Sequence, residues 1–270
     1  MEQHVVLSEV GDDGVALLTL NRPDRLNAWT YGMQVALFDL LRTCAEDERV
    51  RVIVITGAGR GFCPGADMND LSALSSEGRT DEARAHRTDN RPITFAMSIA
   101  KPVIAAINGA CAGLGLAFAL TCDVRFCAEN AKLTTAFSRR GLIAEHGTSW
   151  ILPRLVGPAR ALDLLLSARV LRGSEAAELG LVNRAVEDEL LLEFALDYAR
   201  DVAANVSPAS MATIKRQVYE ALTRPLGDAL EHANVLMLES FSKPDFAEGV
   251  RSFVEKRPPA FPPLTARVST

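Results

Sequence analysis

Apolar positions along this chain alternate between two periods. Residues 5–10 and 15–20 are short runs of strand-forming side chains on either side of Gly11-Asp12-Asp13-Gly14, a pattern that predicts a hairpin. Helical spacing follows over 30–44. Next come a strand at 50–56, a helix over 93–100, a strand at 103–107, a helix from Leu114 and a strand at 124–127. Strands and helices in alternation predict an α/β fold. From about Asp188 onward nearly every segment reads as helix. The breaks fall at Ser207-Pro208, Arg224-Pro225 and Lys243-Pro244, since proline suits the start of a helix and not its interior. We expect a core over residues 1–200 and a helical appendage over 201–270. Between 71 and 90 the sequence turns polar and loses its period, as a lid beside a site would. The last residues, 257–270, are expected to fray.

Hydrophobic residues make up 48% of the 270 and charged ones 23%, enough apolar surface to fold without disulfide or metal staples. The net charge of -5 leaves no basic field for nucleic acid or an anionic membrane. The first ten residues resemble neither a signal nor a transit peptide, and no apolar run reaches spanning length, so a cytoplasmic protein is expected. The cysteines, Cys44, Cys63, Cys111, Cys122 and Cys127, show no ligand or redox spacing and read as buried thiols. Four histidines without a His-Glu-x-x-His run argue against a catalytic metal.

Two glycine-rich segments, each following a predicted strand, are candidates for chemistry. In the first, Gly57 to Met68, the third glycine of a dinucleotide fingerprint would fall on Phe62, and no Gly-Lys-Ser/Thr follows as in a phosphate-binding loop. The second, Asn108 to Gly115, runs from a strand into an apolar helix. Glycines after strands are most often turn residues. Two such segments together, one opening a helix whose first N–H groups lack partners, could instead aim two backbone donors at one carbonyl oxygen.

The ordered pieces Asn21-Arg22-Pro23 with Leu26-Asn27-Ala28, Gly61 to Asp67, Ile107-Asn108-Gly109 with Gly113, Cys122-Asp123, and Glu175-Ala176 before Gly180-Leu181-Val182 resemble the crotonase (enoyl-CoA hydratase/isomerase) superfamily over nearly the whole chain. The resemblance implies a spiral of ββα units and a carboxy-terminal helical region that forms trimers, often paired into hexamers. It also implies an acyl-coenzyme A thioester as ligand, with coenzyme A part of the substrate and no other cofactor. By family position the oxyanion hole would be the N–H groups of Ala66 and Leu114. Coenzyme A would be lined by Arg25, Leu26, Ala28, Ala66 and Met68, with Phe253 and Lys256 reaching a neighbouring subunit's ligand. A core aromatic and a solvated lysine are the plainer readings of those last two.

Hydratases of the family carry two glutamates, suited to adding water. Here those positions hold Ala117 and Gly141, and a carboxylate stands four residues further on, at Glu145, where family isomerases carry a single acid. Considered alone, Glu145 would be a charge at a helix start. With the resemblance it becomes the candidate base, and His146 an orienting neighbour. The leading expectation is therefore an enoyl-CoA isomerase. The alternatives are an enoyl-CoA hydratase of fatty acid β-oxidation with unusual carboxylates, other thioester chemistry such as hydrolysis or carbon–carbon cleavage, and a non-catalytic acyl-CoA-binding protein. Phe95, Met97, Phe118, Leu142 and Trp150 are candidates for an acyl pocket, with core packing the favoured reading of each.

Overall fold

The computed structural model describes residues 4–68, 72 and 89–264. All of the expected lid except Ser72, Asp89 and Asn90 lies outside the described residues. The chain opens with an antiparallel hairpin, β1 (Val6–Val10) and β2 (Val15–Leu20), followed by α1 (Tyr31–Glu46). The Thr30 side chain caps α1 by accepting the Met33 N–H, and Met33, Leu37, Phe38, Leu41 and Cys44 form its buried stripe.

A unit then repeats three times: a long strand, a tight turn and a short strand. The pairs are β3 (Val52–Gly57) with β4 (Gly61–Cys63), β5 (Val103–Ile107) with β6 (Ala110–Ala112), and β7 (Val124–Ala128) with β8 (Lys132–Thr134). Between them lie α2 (Phe95–Ser98), before β5, and α3 (Leu114–Ala119), after β6. The helix expected over 93–100 is one turn long. Pro102 disfavours helical backbone at Lys101, and β5 must start at Val103. Beyond β8 come α4 (Thr148–Val156), α5 (Pro158–Ser167), β9 (Leu171–Arg172), α6 (Gly173–Glu178), β10 (Arg184–Val186) and α7 (Leu191–Asn205).

The long strands form one sheet in the order β1-β2-β3-β5-β7-β10, parallel from β2 onward, and the short ones form a second, β4-β6-β8-β9. Every residue of β3 and β5 is buried, which explains their unbroken apolar sequences. The motif asparagines hold the turns between the sheets. Asn108 accepts the Gly57 N–H and donates to the carbonyls of Gly57 and Gly59, while Asn27 donates to those of Ala58 and Gly61. The five cysteines are buried thiols.

The remaining helices are α8 (Pro208–Ala221), α9 (Leu226–Ser240) and α10 (Pro244–Glu255), and their starts fall at the three expected proline breaks. Burial changes sharply here. α7 presses Leu191, Ala195, Ala199 and Ala203 into the core, whereas α9 buries no residue. Asp123 of the Cys122-Asp123 motif staples α8 to the core: its carboxylate accepts the Val103 N–H (2.7 Å), Lys215 Nζ (2.7 Å) and the Tyr219 hydroxyl (2.8 Å). The expected fraying from Arg257 is corrected over 257–264. Arg257 and the Ala260 N–H bind Glu248, and Arg51 donates to the Phe261 carbonyl. Residues 265–270 lie outside the described residues. No helix among the described residues is long and apolar enough to cross a membrane.

Candidate active site

The strands β4, β6 and β8 are parallel, so the loops leaving them emerge on one side, where parallel strands commonly present ligand sites. Those loops bound a cavity of about 1050 Å³. Two glycines allow the first two loops to touch. A Cβ on Gly65 (φ +109°) would stand 3.1 Å from the Ala112 carbonyl oxygen and 3.8 Å from the Leu114 nitrogen. Gly113, at φ 50° and ψ -118°, has a backbone that L side chains rarely adopt.

Ala66 forms an isolated parallel bridge with Trp29, in which the Trp29 N–H donates to Gly65 and the Asp67 N–H to Trp29. The flanking residues carry the bonds, so the Ala66 N–H faces away from Trp29. Leu114 is the first residue of α3, where an N–H has no intrahelical acceptor. Neither N–H donates to a described residue. The Ala66 loop is held from below: Arg22 Nη1 donates to the Ala28 carbonyl (2.5 Å) and Nη2 to Asp67 Oδ2 (3.0 Å). Cys63 is no nucleophile at this spot, because burial pushes its thiol up to about 12.

Glu145 lines the same cavity, on the loop between a 3-10 turn at Ser138–Arg140 and α4. Its carbonyl oxygen accepts both the Thr148 N–H (3.0 Å) and the Thr148 hydroxyl (2.7 Å), and the left-handed backbones of His146 and Gly147 turn the chain into α4. The Glu145 carboxylate is about one-third exposed, with Oε2 3.8 Å from His146 Nε2, too far for a direct hydrogen bond. Among the described residues two carboxylates line the cavity, Asp67 and Glu145, and Asp67 is committed to Arg22. Ala117 is buried in α3 and Gly141 is exposed, and neither lines the cavity.

The cavity thus gathers Arg25, Ala28, Ala66, Met68, Leu114, Glu145 and His146 from three separate loops and the stretch before α1. Leu26 is not in its lining and packs against Gly61, where an added Cβ would meet the Leu26 carbonyl at 3.2 Å. Phe253, 85% exposed, and Lys256 sit at the end of α10, outside this cavity. Of the candidate acyl-pocket residues only Leu142 lines it. Phe95 and Phe118 pack on Phe38, and Met97 and Trp150 line a separate cavity of about 550 Å³ beneath α8. Sequence reasoning missed Trp29, Tyr31, Gln34, Phe137 and Arg140 as wall residues. The available signal was the spacing of Tyr31 and Gln34, three apart on α1 just after Asn27-Ala28.

Residues 11–263 match the family described as enoyl-CoA hydratase/isomerase. The chain is 36% identical over 257 residues to the 1,2-epoxyphenylacetyl-CoA isomerase of Escherichia coli K12, covering 95% of this chain and 97% of that protein. It is 34% identical over 255 residues to the enoyl-CoA hydratase ACTT3 of Alternaria alternata, covering 92% and 83%. Among solved structures, an enoyl-CoA hydratase from Polaromonas sp. JS666 superposes with a TM-score of 0.87 at 30% identity, over 95% of this chain and 99% of that one. An enoyl-CoA hydratase from Mycobacterium marinum is 50% identical, with a TM-score of 0.70 over 82% and 100%.

Proposed function

The chain belongs to the enoyl-CoA hydratase/isomerase family, and from that premise we propose that it is an acyl-CoA double-bond isomerase that works with one base, Glu145. The observation that carries this reading is the pairing of carboxylates: Asp67 is tied to Arg22, and Glu145 is the remaining acid of the described cavity wall. In the proposed cycle the thioester oxygen accepts the N–H groups of Ala66 and Leu114, which acidify the α carbon and stabilise the enolate that forms. The Glu145 carboxylate takes the α proton of a β,γ-unsaturated ester, leaving a dienolate. The protonated acid then returns the proton to the γ carbon, so that the double bond ends between α and β and Glu145 is again ionised. His146, its sequence neighbour, orients the carboxylate from 3.8 Å, without a direct hydrogen bond. Arg25, Ala28, Ala66 and Met68 receive coenzyme A, and Leu26, whose N–H is bound by the Pro23 carbonyl, supports that stretch from outside the cavity. The Escherichia coli relative is named as an isomerase of an epoxyphenylacetyl-CoA, which supports isomerisation of an acyl-CoA ester as the reaction class.

Replacing Glu145 with Gln keeps the size and removes the proton acceptor. Turnover of a β,γ-unsaturated acyl-CoA should fall by about a hundred- to ten-thousand-fold, with ester affinity little changed. Full activity in Glu145→Gln would defeat the proposal. Hydration is the second reading, favoured by the hydratase names of the other relatives. If the wild type hydrates the α,β isomer faster than it shifts the double bond, that reading replaces ours.

We propose further that the chain acts in the cytoplasm as a homotrimer or a hexamer, with α8 to α10 at the subunit interface and Phe253 and Lys256 reaching a neighbouring ligand. Supporting this is the apolar surface those helices expose, including Leu226 at 84% and Phe253 at 85%. A monomeric mass at micromolar concentration would overturn it.

A further inference from the structure

The cavity wall supplied by α1 carries a polar group that the proposed proton transfer does not use. Trp29 and Gln34 both line the cavity, and Trp29 Nε1 donates to Gln34 Oε1 at 3.3 Å. An indole N–H can only donate, so the amide is oriented: its oxygen faces Trp29 and its NH2 group faces away. Trp29 is itself held fast. It is 3% exposed and packs against Phe38 and Phe118, with ring centroids 6.4 and 5.3 Å away.

Gln34 is half-buried, and its Nε2 donates to no described residue. Nor is it one of the sealed, unpaired polar atoms, so this donor remains open to the cavity. The same cavity is lined by the apolar residues Ala28, Trp29, Leu114, Phe137 and Leu142 beside polar ones such as Tyr31 and Arg140. The bridge between Trp29 and Ala66 pairs the backbone of Trp29 with the loop that carries one of the two backbone donors.

We infer that Gln34 is a specificity-determining residue, selecting acyl groups that carry an oxygen acceptor, such as a ketone, ether or hydroxyl, over plain hydrocarbon chains. The inference rests on the reading of the cavity as an acyl-CoA site, not on the isomerase chemistry. A hydrocarbon chain lying across the wall strips water from the NH2 group and offers nothing in return. An acyl oxygen at the same place restores the hydrogen bond. Leaving such a donor unpaired is a recognised source of discrimination, here about ten- to a hundredfold.

The test uses coenzyme A thioesters of equal chain length: an all-carbon parent and a set in which one ether oxygen is moved along the acyl chain. Binding is measured by calorimetry and conversion by turnover. The wild type should bind at least one ether ester about ten- to a hundredfold more tightly than the parent. Gln34→Met, close in size and without a donor, should abolish that preference while holding the parent at least as well. Trp29→Phe removes the group that orients the amide and should weaken the preference in part. An unchanged melting temperature verifies that Gln34→Met is folded, and Gln34→Leu replaces it if it is not. No preferred oxygen position in the wild type, or a preference that survives the loss of Gln34, overturns the inference. Equal weakening of parent and ether esters also overturns it, since Gln34 would then serve the pantetheine arm common to both. If the binding preference holds while no double bond is shifted, the isomerase reading falls and this one stands.

Discussion

The two sheets are built from the same repeating unit and differ in almost everything else. β3 and β5 are six and five residues long, every one buried, and their neighbours continue in parallel register. β4, β6 and β8 have three residues each, and the loops that leave them form the cavity. Strand length sets the difference. A long buried strand fixes its backbone at both ends and gains from apolar burial along its length, whereas a three-residue strand hands the chain over to a loop almost at once. The first arrangement makes a rigid floor. The second brings three loops within a few ångströms of one another, where backbone N–H groups can be aimed.

If this division holds, substitutions in the two sheets should move different observables. Ile104→Ala in β5 should cost about 2–5 kcal/mol of stability in denaturant unfolding, with turnover per folded molecule nearly unchanged. A matching loss of turnover in the folded fraction would break the comparison. Gly113→Ala should act in reverse. The space for its Cβ is open, with no atom nearer than 3.8 Å, but the backbone resists, so the Leu114 N–H should be misdirected and turnover should fall by up to about a hundred- to a thousandfold. The melting temperature should drop less than for Ile104→Ala.

Arg22 offers a gentler probe of the same loop. Arg22→Met removes both the grip on the Ala28 carbonyl and the partner of Asp67, and kcat should fall by roughly tenfold with KM little changed. Arg22→Lys keeps the charge without the two-pronged geometry and should fall between. A stability loss with no change in kcat would show that this clamp serves the floor and not the site. The smallest effect is expected far from both sheets. Glu248 is held down at about 2, against an ordinary 4.5, chiefly by hydrogen bonds from Arg257 and then by the Ala260 N–H. A lowered folded-state value means the anchor is fully present above about 4.5 and is lost as pH falls toward about 2. Amide exchange at Ala260, corrected for its intrinsic rate, should accelerate over that window, with the sheets unaffected.

The same contrast in length decided what could be read from sequence. Residues 103–107 were legible as a strand to the residue, and the helix starts at Pro208, Leu226 and Pro244 follow from three prolines. The second sheet was not legible, because two or three residues cannot display a period, and β4 and β6 fell within the glycine-rich segments. At the cavity, Ala66, Leu114 and Glu145 could be named because a family resemblance carried them, not because spacing required them. Gln34 could not be named, since a glutamine on an amphipathic helix is ordinary until the face it occupies is known. The tail at 257–264 was misread for a related reason: the hold that Glu248 and Arg51 exert on it is tertiary, and proline-rich composition alone looks loose.

The corner at Glu145 is secured by a carbonyl, through the two bonds from Thr148, and by the left-handed turn at His146 and Gly147. None of these contacts involves the carboxyl group. The proposed reactive end of the residue and the part that supports it are therefore separable. Aspartate, glutamine or a shorter polar side chain could occupy the corner without unpicking the entry to α4. New chemistry at this cavity, whether arising by drift or by laboratory exchange, would then need only a change of side chain on a backbone that stays put.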